Sequence, residues 1–399
     1  MARLPCRVLV PLFSRPVHSL QRKRLPSHST QLGRNLTIAS TSPFVYKLIE
    51  DVERLERYRP GGFHPIYIGD RLHERYRVVH KLGYGSFSTI WLARDERLSK
   101  YVAVKVCAAD DAVRQEADTL SRLSEADPHA GSVNGRGDLV PAVLDHLHLG
   151  NLLLRFPSAL DNLSEEELYE TYGAPEPEAV VREDGKPLEQ GVPLHVIPPV
   201  WLGKPCEDIT PSDANLLLAD FGTAFRPSTE LRYQSYAPLE IRPPEARLEP
   251  TTPLSFKSEI WSLGCTIWAL VANRPLVEMV LSTEDDVTAQ HVDALGPLPE
   301  EWWEKWAGWN KYFTEPNAAG RPIEGRWVWS LEERFEEWVQ KLKREEGMAT
   351  LNDREMEAFF KMVRLMLKFK PGDRPTARQV LETEWMREWA LPERERLLK

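Results

Sequence analysis

Two short stretches decide the fold: Leu147-His148-Leu149-Gly150-Asn151-Leu152-Leu153-Leu154 and Leu216-Leu217-Leu218-Ala219-Asp220-Phe221-Gly222. Each contains a run of three leucines, and a short continuous apolar run is typical of a buried strand. Asn151 comes directly before one predicted strand, and Asp220 comes shortly after the other. Amide and carboxylate oxygens are ligands that hard divalent cations prefer. The two stretches therefore predict paired strands with metal-type ligands at their polar edge.

Residues 75–107 alternate between apolar and polar positions and predict three strands with turns between them. A glycine-rich loop lies between the first two strands. Its residues are Leu82, Gly83, Tyr84, Gly85, Ser86, Phe87, Ser88, Thr89 and Ile90. Glycine lets backbone amides approach phosphate oxygens because no Cβ stands in the way. Such a pattern is weak alone, since many tight hairpins look alike.

The third predicted strand contains a lysine in an apolar setting, Val102-Ala103-Val104-Lys105-Val106. A lysine there is costly unless it is paired. The helix predicted for residues 110–123 offers Glu116 as the partner, and such a pair would orient phosphate groups. The alternative is that Lys105 extends its ammonium group to solvent from an edge strand.

With these motifs in place, the chain resembles the eukaryotic protein kinase family over roughly residues 75–123 and 146–390. Three further motifs support the resemblance. They are Pro243-Pro244-Glu245, Glu259-Ile260-Trp261-Ser262-Leu263-Gly264 (with Glu where Asp is usual) and Asp373-Arg374-Pro375-Thr376. The resemblance implies an α+β, bilobal protein-kinase-like fold with a small β-rich N-lobe and a larger α-helical C-lobe.

The same resemblance assigns roles to individual residues. It implies that the loop of residues 82–90 covers ATP and that Lys105 and Glu116 orient its phosphates. Asn151 and Asp220 would hold Mg²⁺, and Glu245 would form a buried pair with Arg374.

The 69 positions that separate Asn151 from Asp220 make the chain look like the SR-protein kinases, which carry an insertion there. The segment Ile241-Arg242-Pro243-Pro244-Glu245-Ala246 is similar to a fungal branch of that group. The expected activity is transfer of the γ-phosphate of ATP to Ser/Thr hydroxyls of a protein substrate rich in Arg and Ser. The stretch Leu147–Asn151 also looks like that of small-molecule phosphotransferases of the aminoglycoside and choline type. Those enzymes lack the three downstream motifs, so this is the rival interpretation.

The catalytic loop departs from the pattern of this group, which would read His-Gly-Asp-Leu-His-Leu-Gly-Asn. His146 occupies the place of the catalytic aspartate, and Asp145, the nearest carboxylate for the proton-accepting role, is one residue out of register. Only 34 residues separate Glu116 from Asn151, where the family elements need roughly 60. We infer a deletion between about Asp145 and Leu147, arising from splicing or a wrong exon boundary.

This deletion would truncate the junction of the two lobes. It would leave the small sheet with an open edge and an uncovered face. The competing functional hypothesis is a catalytically dead binding or scaffold module.

Charge divides the chain into two parts. Residues 1–49 contain eight Lys/Arg residues and no acid, a composition typical of a mitochondrial transit peptide; a disordered basic tail on a cytoplasmic or nuclear protein is the alternative. Residues 50–399 have a net charge of −17, which argues against direct nucleic-acid binding and suits a basic protein substrate.

No apolar run reaches the length of a membrane span. The four cysteines are too far apart to indicate a disulfide framework or a zinc site.

The predicted domains follow from these signals. They are a leader (1–49), an N-terminal extension (50–74) with a short charged helix at 50–59, an incomplete N-lobe (75–139), a C-lobe (140–390) containing a surface insertion (155–215), and a tail (391–399). A capping box of Ser164 and Glu167 predicts a helix that Gly173 ends. The C-lobe should contain an apolar helix at 260–272, an amphipathic helix at 353–369 and a last helix capped by Thr376. Core packing against the 260–272 helix is expected for Trp302, Trp303, Trp306 and Trp309.

Overall fold

A computed structural model describes most of the chain beyond the leader. The described residues are 9–11, 45–109, 148–155, 158–203, 208–210, 213, 216–278, 282–315 and 321–397. The chain divides into two compact units, one formed by Met1–Val113 with Leu153–Leu217 and the other by Arg114–Leu152 with Leu218–Lys399. The first unit contains most of the strands and the second most of the helices. This confirms the predicted α+β class and its β-rich and helical parts.

In the described ranges, nine strands form three sheets. The strands are β1 (Leu9–Pro11), β2 (Arg71–Leu72), β3 (Tyr76–Tyr84), β4 (Ser88–Asp95), β5 (Lys100–Cys107), β6 (Leu152–Arg155), β7 (Glu178–Ala179), β8 (His195–Val196) and β9 (Leu216–Leu218). The main sheet has the order β2-β3-β4-β5, and a smaller sheet has the order β1-β6-β9. The three strands predicted for residues 75–107 are confirmed, as are the two apolar runs predicted to be strands.

Ten α-helices occur in the described ranges. They are α1 (Glu165–Tyr172), α2 (Glu245–Leu248), α3 (Phe256–Ala272), α4 (Glu284–Leu295), α5 (Glu300–Lys305), α6 (Leu331–Phe335), α7 (Lys341–Glu345), α8 (Asp353–Met366), α9 (Ala377–Leu381) and α10 (Leu391–Leu397). A π-helical turn (Glu336–Gln340) joins α6 to α7. Among the described helices, none is both long and apolar enough to cross a membrane.

The segment that follows β6 covers one face of the main sheet. Leu160, Leu168 and Leu202 pack against the sheet residues Val79, Leu92 and Tyr101. The hydroxyl of Tyr169 in α1 donates to the carbonyl oxygen of Val79 at 2.9 Å, which fixes the helix on the strand. The interpretation of residues 155–215 as a surface insertion of the C-lobe is therefore wrong for this packed part. The expectation of an uncovered sheet face is also wrong.

The composition of this segment explains the error. Proline and glycine interrupt it, so its apolar residues show no period, although tertiary contacts bury them. Its one local signal was correct: α1 begins after Ser164 with a complete capping box and ends at Gly173.

The N-terminal extension is mostly irregular. In place of the helix predicted for 50–59, only Leu55–Arg57 forms a 3₁₀ turn. Asp51 has a left-handed φ of 58°, which an α-helix cannot continue through. Buried Glu53, Leu55 and Tyr58 then fix the backbone through contacts with the rest of the unit, which local helix propensity does not describe.

The helical unit has a core of α3, α6 and α8. Trp261 and Trp268 of α3 are fully buried in it, with Phe359 of α8. Predicted helices at 260–272 and 353–369 are confirmed with shifted ends, and α9 begins after the predicted cap Thr376. The helix that begins after Thr376 is nevertheless not the last one of the described chain, because α10 (Leu391–Leu397) follows it.

Core packing of the tryptophan cluster is confirmed with a different partner. Trp302, Trp303 and Trp306 are buried with Ala289 and Val292 of α4, a helix that the sequence analysis did not predict. Trp309 is partly buried at the edge of the same cluster.

Candidate functional site

The glycine-rich loop is the turn between β3 and β4. The Gly85 amide donates to the Ser88 carbonyl oxygen at 2.8 Å, which closes the hairpin, while residues 84–87 at its tip are exposed. Neither Gly83 nor Gly85 has a positive φ. A Cβ built on Gly83 would meet no heavy atom within 4 Å, and one on Gly85 would meet only the Ser88 hydroxyl at 4.0 Å.

The protein itself therefore does not require glycine at these two positions. Gly83 lies at a register shift of the β3–β4 pair, where a bulge is one reason for a glycine. Close approach of a ligand to the backbone is a second reason, and phosphate oxygens suit it because they bind exposed backbone amides. Binding of nucleotide phosphates by this loop stays a prediction.

Lys105 lies on β5, where it pairs with Ile90 of β4 across the sheet. It is partly buried, and β5 is an edge strand of the described four-stranded sheet. Alternation along the strand puts Tyr101, Ala103 and Lys105 on the same face. The predicted partner Glu116 lies outside the described residues, so the Lys105–Glu116 pair stays a prediction.

Asn151 and Asp220 lie on neighbouring backbone segments of the helical unit. The amide of Ala219 donates to the carbonyl oxygen of Asn151 at 2.9 Å, so the residues before and after the two strands align at one edge. Asn151 is buried, whereas Asp220 is exposed. The structure thus places the backbones of these two predicted ligand residues next to each other, although they come from separate stretches of sequence. Their role as metal ligands stays a prediction.

Asp220 adopts an unusual backbone conformation, with a φ of 64°. Residues other than glycine rarely occupy this left-handed region, and such strain concentrates at functional sites. In the described ranges, no group of three or more His, Cys, Asp or Glu side chains is arranged to hold a metal ion. One amide and one carboxylate oxygen suit Mg²⁺, which usually takes one or two protein ligands together with substrate phosphates and water.

His148 orders the turn that leads to Asn151. Its Nδ1 accepts a hydrogen bond from the Gly150 amide at 3.1 Å, and its carbonyl oxygen accepts one from the Asn151 amide at 2.9 Å. Burial lowers the pKa of His148, against the opposing charges of Asp220 and Glu240. The neutral ring can therefore accept at Nδ1, so His148 holds the loop in shape. Asp145 and His146 lie outside the described residues, and the role of Asp145 as proton acceptor stays a prediction.

Glu245 and Arg374 form the buried pair implied by the resemblance. Arg374 donates from Nη1 and Nη2 to the two carboxylate oxygens of Glu245 at 2.8 and 2.7 Å. Its remaining donors reach the carbonyl oxygens of Lys257, Lys368 and Phe369. Next to this pair, the hydroxyl of Ser262 in α3 donates to the Ile241 carbonyl oxygen at 3.0 Å. The Pro243-Pro244-Glu245 motif is thus tied to α3 and to the Arg374 loop.

Two charged residues beside the glycine-rich loop were not predicted from the sequence: one lies on the strand before the loop, and the other contacts the loop. Lys81 of β3 is fully buried in an ion pair with Glu53, and Arg57 bonds the carbonyl oxygen of Ser86. A signal for Lys81 was present, because it is a lysine inside a strand, as is Lys105. No comparable signal marks Arg57, which is one of several charged residues in the extension.

Comparison with known proteins gives a consistent set of relatives. Residues 208–386 match the family model of the protein kinase domain, a range that includes Asp220 and most of the helical unit. A serine/threonine protein kinase of Aspergillus fumigatus is 24% identical over 421 residues, which cover 93% of this chain and 99% of that protein. The serine/threonine-protein kinase SKY1 of Saccharomyces cerevisiae is 38% identical over 101 residues, 24% of this chain and 14% of that one.

Two further comparisons add to these. SRSF protein kinase 3 of Homo sapiens is 40% identical over 79 residues, 18% of this chain and 14% of that one. The crystal structure of the PF14_0431 kinase domain superposes with a TM-score of 0.49 at 15% identity, over 81% of this chain and 98% of that chain. The similarity is end to end for the Aspergillus protein and local for SKY1 and SRSF protein kinase 3.

Proposed function

We propose that the chain is a protein serine/threonine kinase, which binds Mg-ATP and phosphorylates Ser/Thr residues of Arg/Ser-rich proteins. Its similarity to the protein kinase domain over residues 208–386, and to the kinases of Aspergillus fumigatus and Saccharomyces cerevisiae, supports this proposal. The observation that supports this proposal best is the alignment of Asn151 and Asp220 by the Ala219–Asn151 backbone bond, with Asp220 in a strained conformation. A strained aspartate beside a buried asparagine is expected where a cation must be held.

The roles of the residues follow from their chemistry. The exposed amides of the loop 82–90 would bind phosphate oxygens, and the ammonium group of Lys105 would add a positive charge to the same groups. Asn151 and Asp220 would hold magnesium through oxygen atoms, and the bound ion would neutralise charge on the phosphates. Positioning and electrostatics supply most of the catalysis in phosphoryl transfer.

The substrate class rests on charge and on relatives. Residues 50–399 have a net charge of −17, which favours a basic substrate such as an Arg/Ser repeat. SRSF protein kinase 3 and the kinase named SRPK of Physarum polycephalum, 40% identical over 83 residues, are among the relatives.

A nucleotide-binding protein without phosphotransfer activity is the second candidate. It is favoured by His146, which stands where the group has its catalytic aspartate, and by the 34 residues between Glu116 and Asn151. Loss of a proton-accepting residue typically lowers the rate by about 10²–10⁴-fold, whereas nucleotide binding does not depend on it.

One experiment separates these functions. Thermal unfolding of the full chain would be measured with and without Mg-ATP, together with transfer of labelled phosphate to an Arg/Ser-repeat peptide. A stabilising shift with transfer supports the proposed kinase. A shift without transfer supports the second candidate, and no shift at all contradicts both.

Matched variants test the assignment of the site. Asp220→Ala and Lys105→Met should each abolish the nucleotide shift or reduce it severalfold, because each removes a charge that interacts with phosphate or its cation. Asp353→Ala is the control, since Asp353 is an exposed aspartate in the first turn of α8. An Asp220→Ala variant with the wild-type shift would contradict the metal assignment.

A further inference from the structure

The N-terminal extension reaches the tip of the glycine-rich loop through Arg57. The Nη2 of Arg57 donates to the carbonyl oxygen of Ser86 at 2.5 Å, although the residues are 29 positions apart. The guanidinium carbon also lies 5.8 Å from the centroid of the Phe87 ring. A hydrogen bond from a charged donor and a cation–π contact therefore hold adjacent residues of an otherwise exposed tip.

A second contact fixes the strand that leads into the loop. Lys81 of β3 donates to the carboxylate of Glu53, and the Tyr58 hydroxyl donates to the other oxygen of that carboxylate. Both charged side chains are almost completely buried. The ammonium group of Lys81 also lies 5.6 Å from the centroid of the Tyr84 ring. The desolvation of Lys81 is thus offset by an ion pair and an aromatic face.

The extension is itself firmly anchored in its unit. Leu55, Tyr58 and Phe63 are buried in one cluster with Val180 and Val196 of the segment after β6. The Arg57 guanidinium carbon lies 5.2 Å from the centroid of the Phe63 ring. Arg57 therefore extends from a buried, well-packed segment. Because that segment is anchored, the hydrogen bond from Arg57 to Ser86 restrains the position of the loop.

We propose that Arg57 is a positioning residue for the nucleotide, which holds the tip of the glycine-rich loop in place through Ser86 and Phe87 while Glu53 fixes the preceding strand through Lys81. This inference rests on the proposed binding of ATP phosphates by residues 82–90. A glycine-containing loop loses much conformational freedom when it closes on a ligand. Restraint of the tip before binding lowers that entropic cost and so strengthens nucleotide binding.

The first test measures nucleotide affinity. Arg57→Ala in the full chain should raise the Kd for Mg-ATP and Mg-ADP by about 5–10-fold, because the loop must then be ordered on binding. Arg57→Lys, which keeps the charge but lacks the planar fork, should give an intermediate Kd. Arg59→Ala is the matched control: Arg59 is exposed and makes no side-chain hydrogen bond or ion pair with any described residue. Its Kd should stay within about twofold of the wild-type value.

The second test needs no nucleotide. Amide hydrogen exchange of a peptide spanning residues 82–90 should be faster in Arg57→Ala than in Arg59→Ala, whereas exchange in β4 beyond Ile90 should be equal in both. A purely structural role of Arg57 would instead lower the unfolding temperature and raise exchange throughout the sheet.

These outcomes separate the two proposals. Unchanged exchange in residues 82–90 overturns the restraint of the loop by Arg57. If Arg57→Ala makes exchange in residues 82–90 faster but leaves the Kd for Mg-ATP unchanged, then restraint of the loop by Arg57 is not important for nucleotide binding. If the wild-type chain binds no nucleotide, the proposed function fails and with it the positioning role, while exchange still reports whether Arg57 restrains the loop.

Discussion

Arg374 shows how one side chain can connect distant parts of the helical unit. It is separated from Glu245 by 129 positions, yet the two form a bidentate pair that is almost completely excluded from solvent. The guanidinium group also lies 5.1 Å from the centroid of the Trp261 ring in α3. Every donor direction of the fork is used, which is the condition under which a buried charge is tolerated.

Breaking this pair should strongly destabilise the helical unit. Glu245→Ala leaves a buried guanidinium without its counter-charge, and we expect a loss of about 3–5 kcal/mol in the free energy of unfolding. Urea denaturation followed by tryptophan fluorescence measures it. Arg364→Ala, which removes an exposed pair with Glu332, should cost about 0–1 kcal/mol. Equal losses in the two variants would contradict this account.

His291 is a buried titratable residue next to the same core. It packs edge-on against Trp261 with ring centroids 5.0 Å apart, and its Nε2 has no hydrogen-bond partner in the described structure. Burial, together with the charge of Arg334, lowers its pKa from 6.5 to about 3. The folded chain therefore keeps this ring neutral at a pH where the unfolded chain would protonate it.

The pH dependence follows from that lowered pKa. Between pH 6.5 and 3 the unfolded chain binds a proton at His291 that the folded chain does not, so stability is full above pH 6.5 and falls as the pH falls. From pH 6.5 to 5 the loss should be about 2 kcal/mol. The free energy of unfolding of His291→Leu, measured by urea titration, should fall less than that of the wild type between pH 6.5 and 5. The control His195→Gln, at an exposed position, should follow the wild type.

Among the elements, α1 shows the limits of local sequence signals. Its ends were predictable, because Ser164, Glu167 and Gly173 satisfy the terminal amides and carbonyls within a few residues. Its place on the main sheet was not predictable, because that depends on Leu168 meeting Val79 and Leu92. The helix belongs to the core of its unit although it lies in a segment that is rich in proline and glycine.

Leu168→Ala tests whether this segment is part of the core. Leu168 is completely buried, and its truncation should cost about 2–5 kcal/mol through lost contacts and a residual cavity. Circular dichroism during urea unfolding measures the change. Leu194→Ala is the control, because Leu194 is 63% exposed and should change stability by no more than about 0.5 kcal/mol. A surface insertion would give the same small change for both.

On the scale of the whole molecule, charge determines which partners are favoured. The net charge of −17 on residues 50–399 predicts attraction to basic peptides, and salt screens such attraction between exposed charges. The mitochondrial destination of the basic leader stays a prediction from composition, since only residues 9–11 and 45–49 of that leader are described.

Binding of an Arg/Ser-repeat peptide should therefore depend on salt. We expect the Kd to rise about tenfold between 50 and 300 mM NaCl, because the attraction comes from several exposed charges. Fluorescence anisotropy measures this. The same peptide with phosphorylated serines carries a net negative charge, because each phosphate contributes about −1.5 to −2 against +1 for each arginine, and it should bind weakly at both salt concentrations. A salt-independent Kd for the unmodified peptide would contradict an electrostatic origin.

The short span before Asn151 is also a property of the whole chain. The motifs on both sides of it are intact, which is what a clean excision leaves, and the junction between Asp145 and Leu147 lies outside the described residues. A transcript read across codons 140–150 should reveal an additional exon. Absence of any such exon, together with protein phosphorylation by the purified chain, would overturn the inferred deletion.

The sequence by itself determined the features that depend on near neighbours. Period-two patterns gave β3, β4 and β5, capping boxes gave the starts of α1 and α9, and the two leucine runs gave the strands beside Asn151 and Asp220. These signals are local because strand alternation and helix caps depend on residues only a few positions apart.

Tertiary structure alone decided which distant residues meet. The covering of the sheet by Leu160, Leu168 and Leu202, the burial of Lys81 by Glu53, and the hold of Arg57 on Ser86 all join positions that are far apart in sequence. No local period marks such contacts, because they arise when burial and charge pairing are satisfied across the whole unit. For the same reason, Asn151 and Asp220 were recognisable from sequence as ligand types, but only the strand pairing aligned them at one edge.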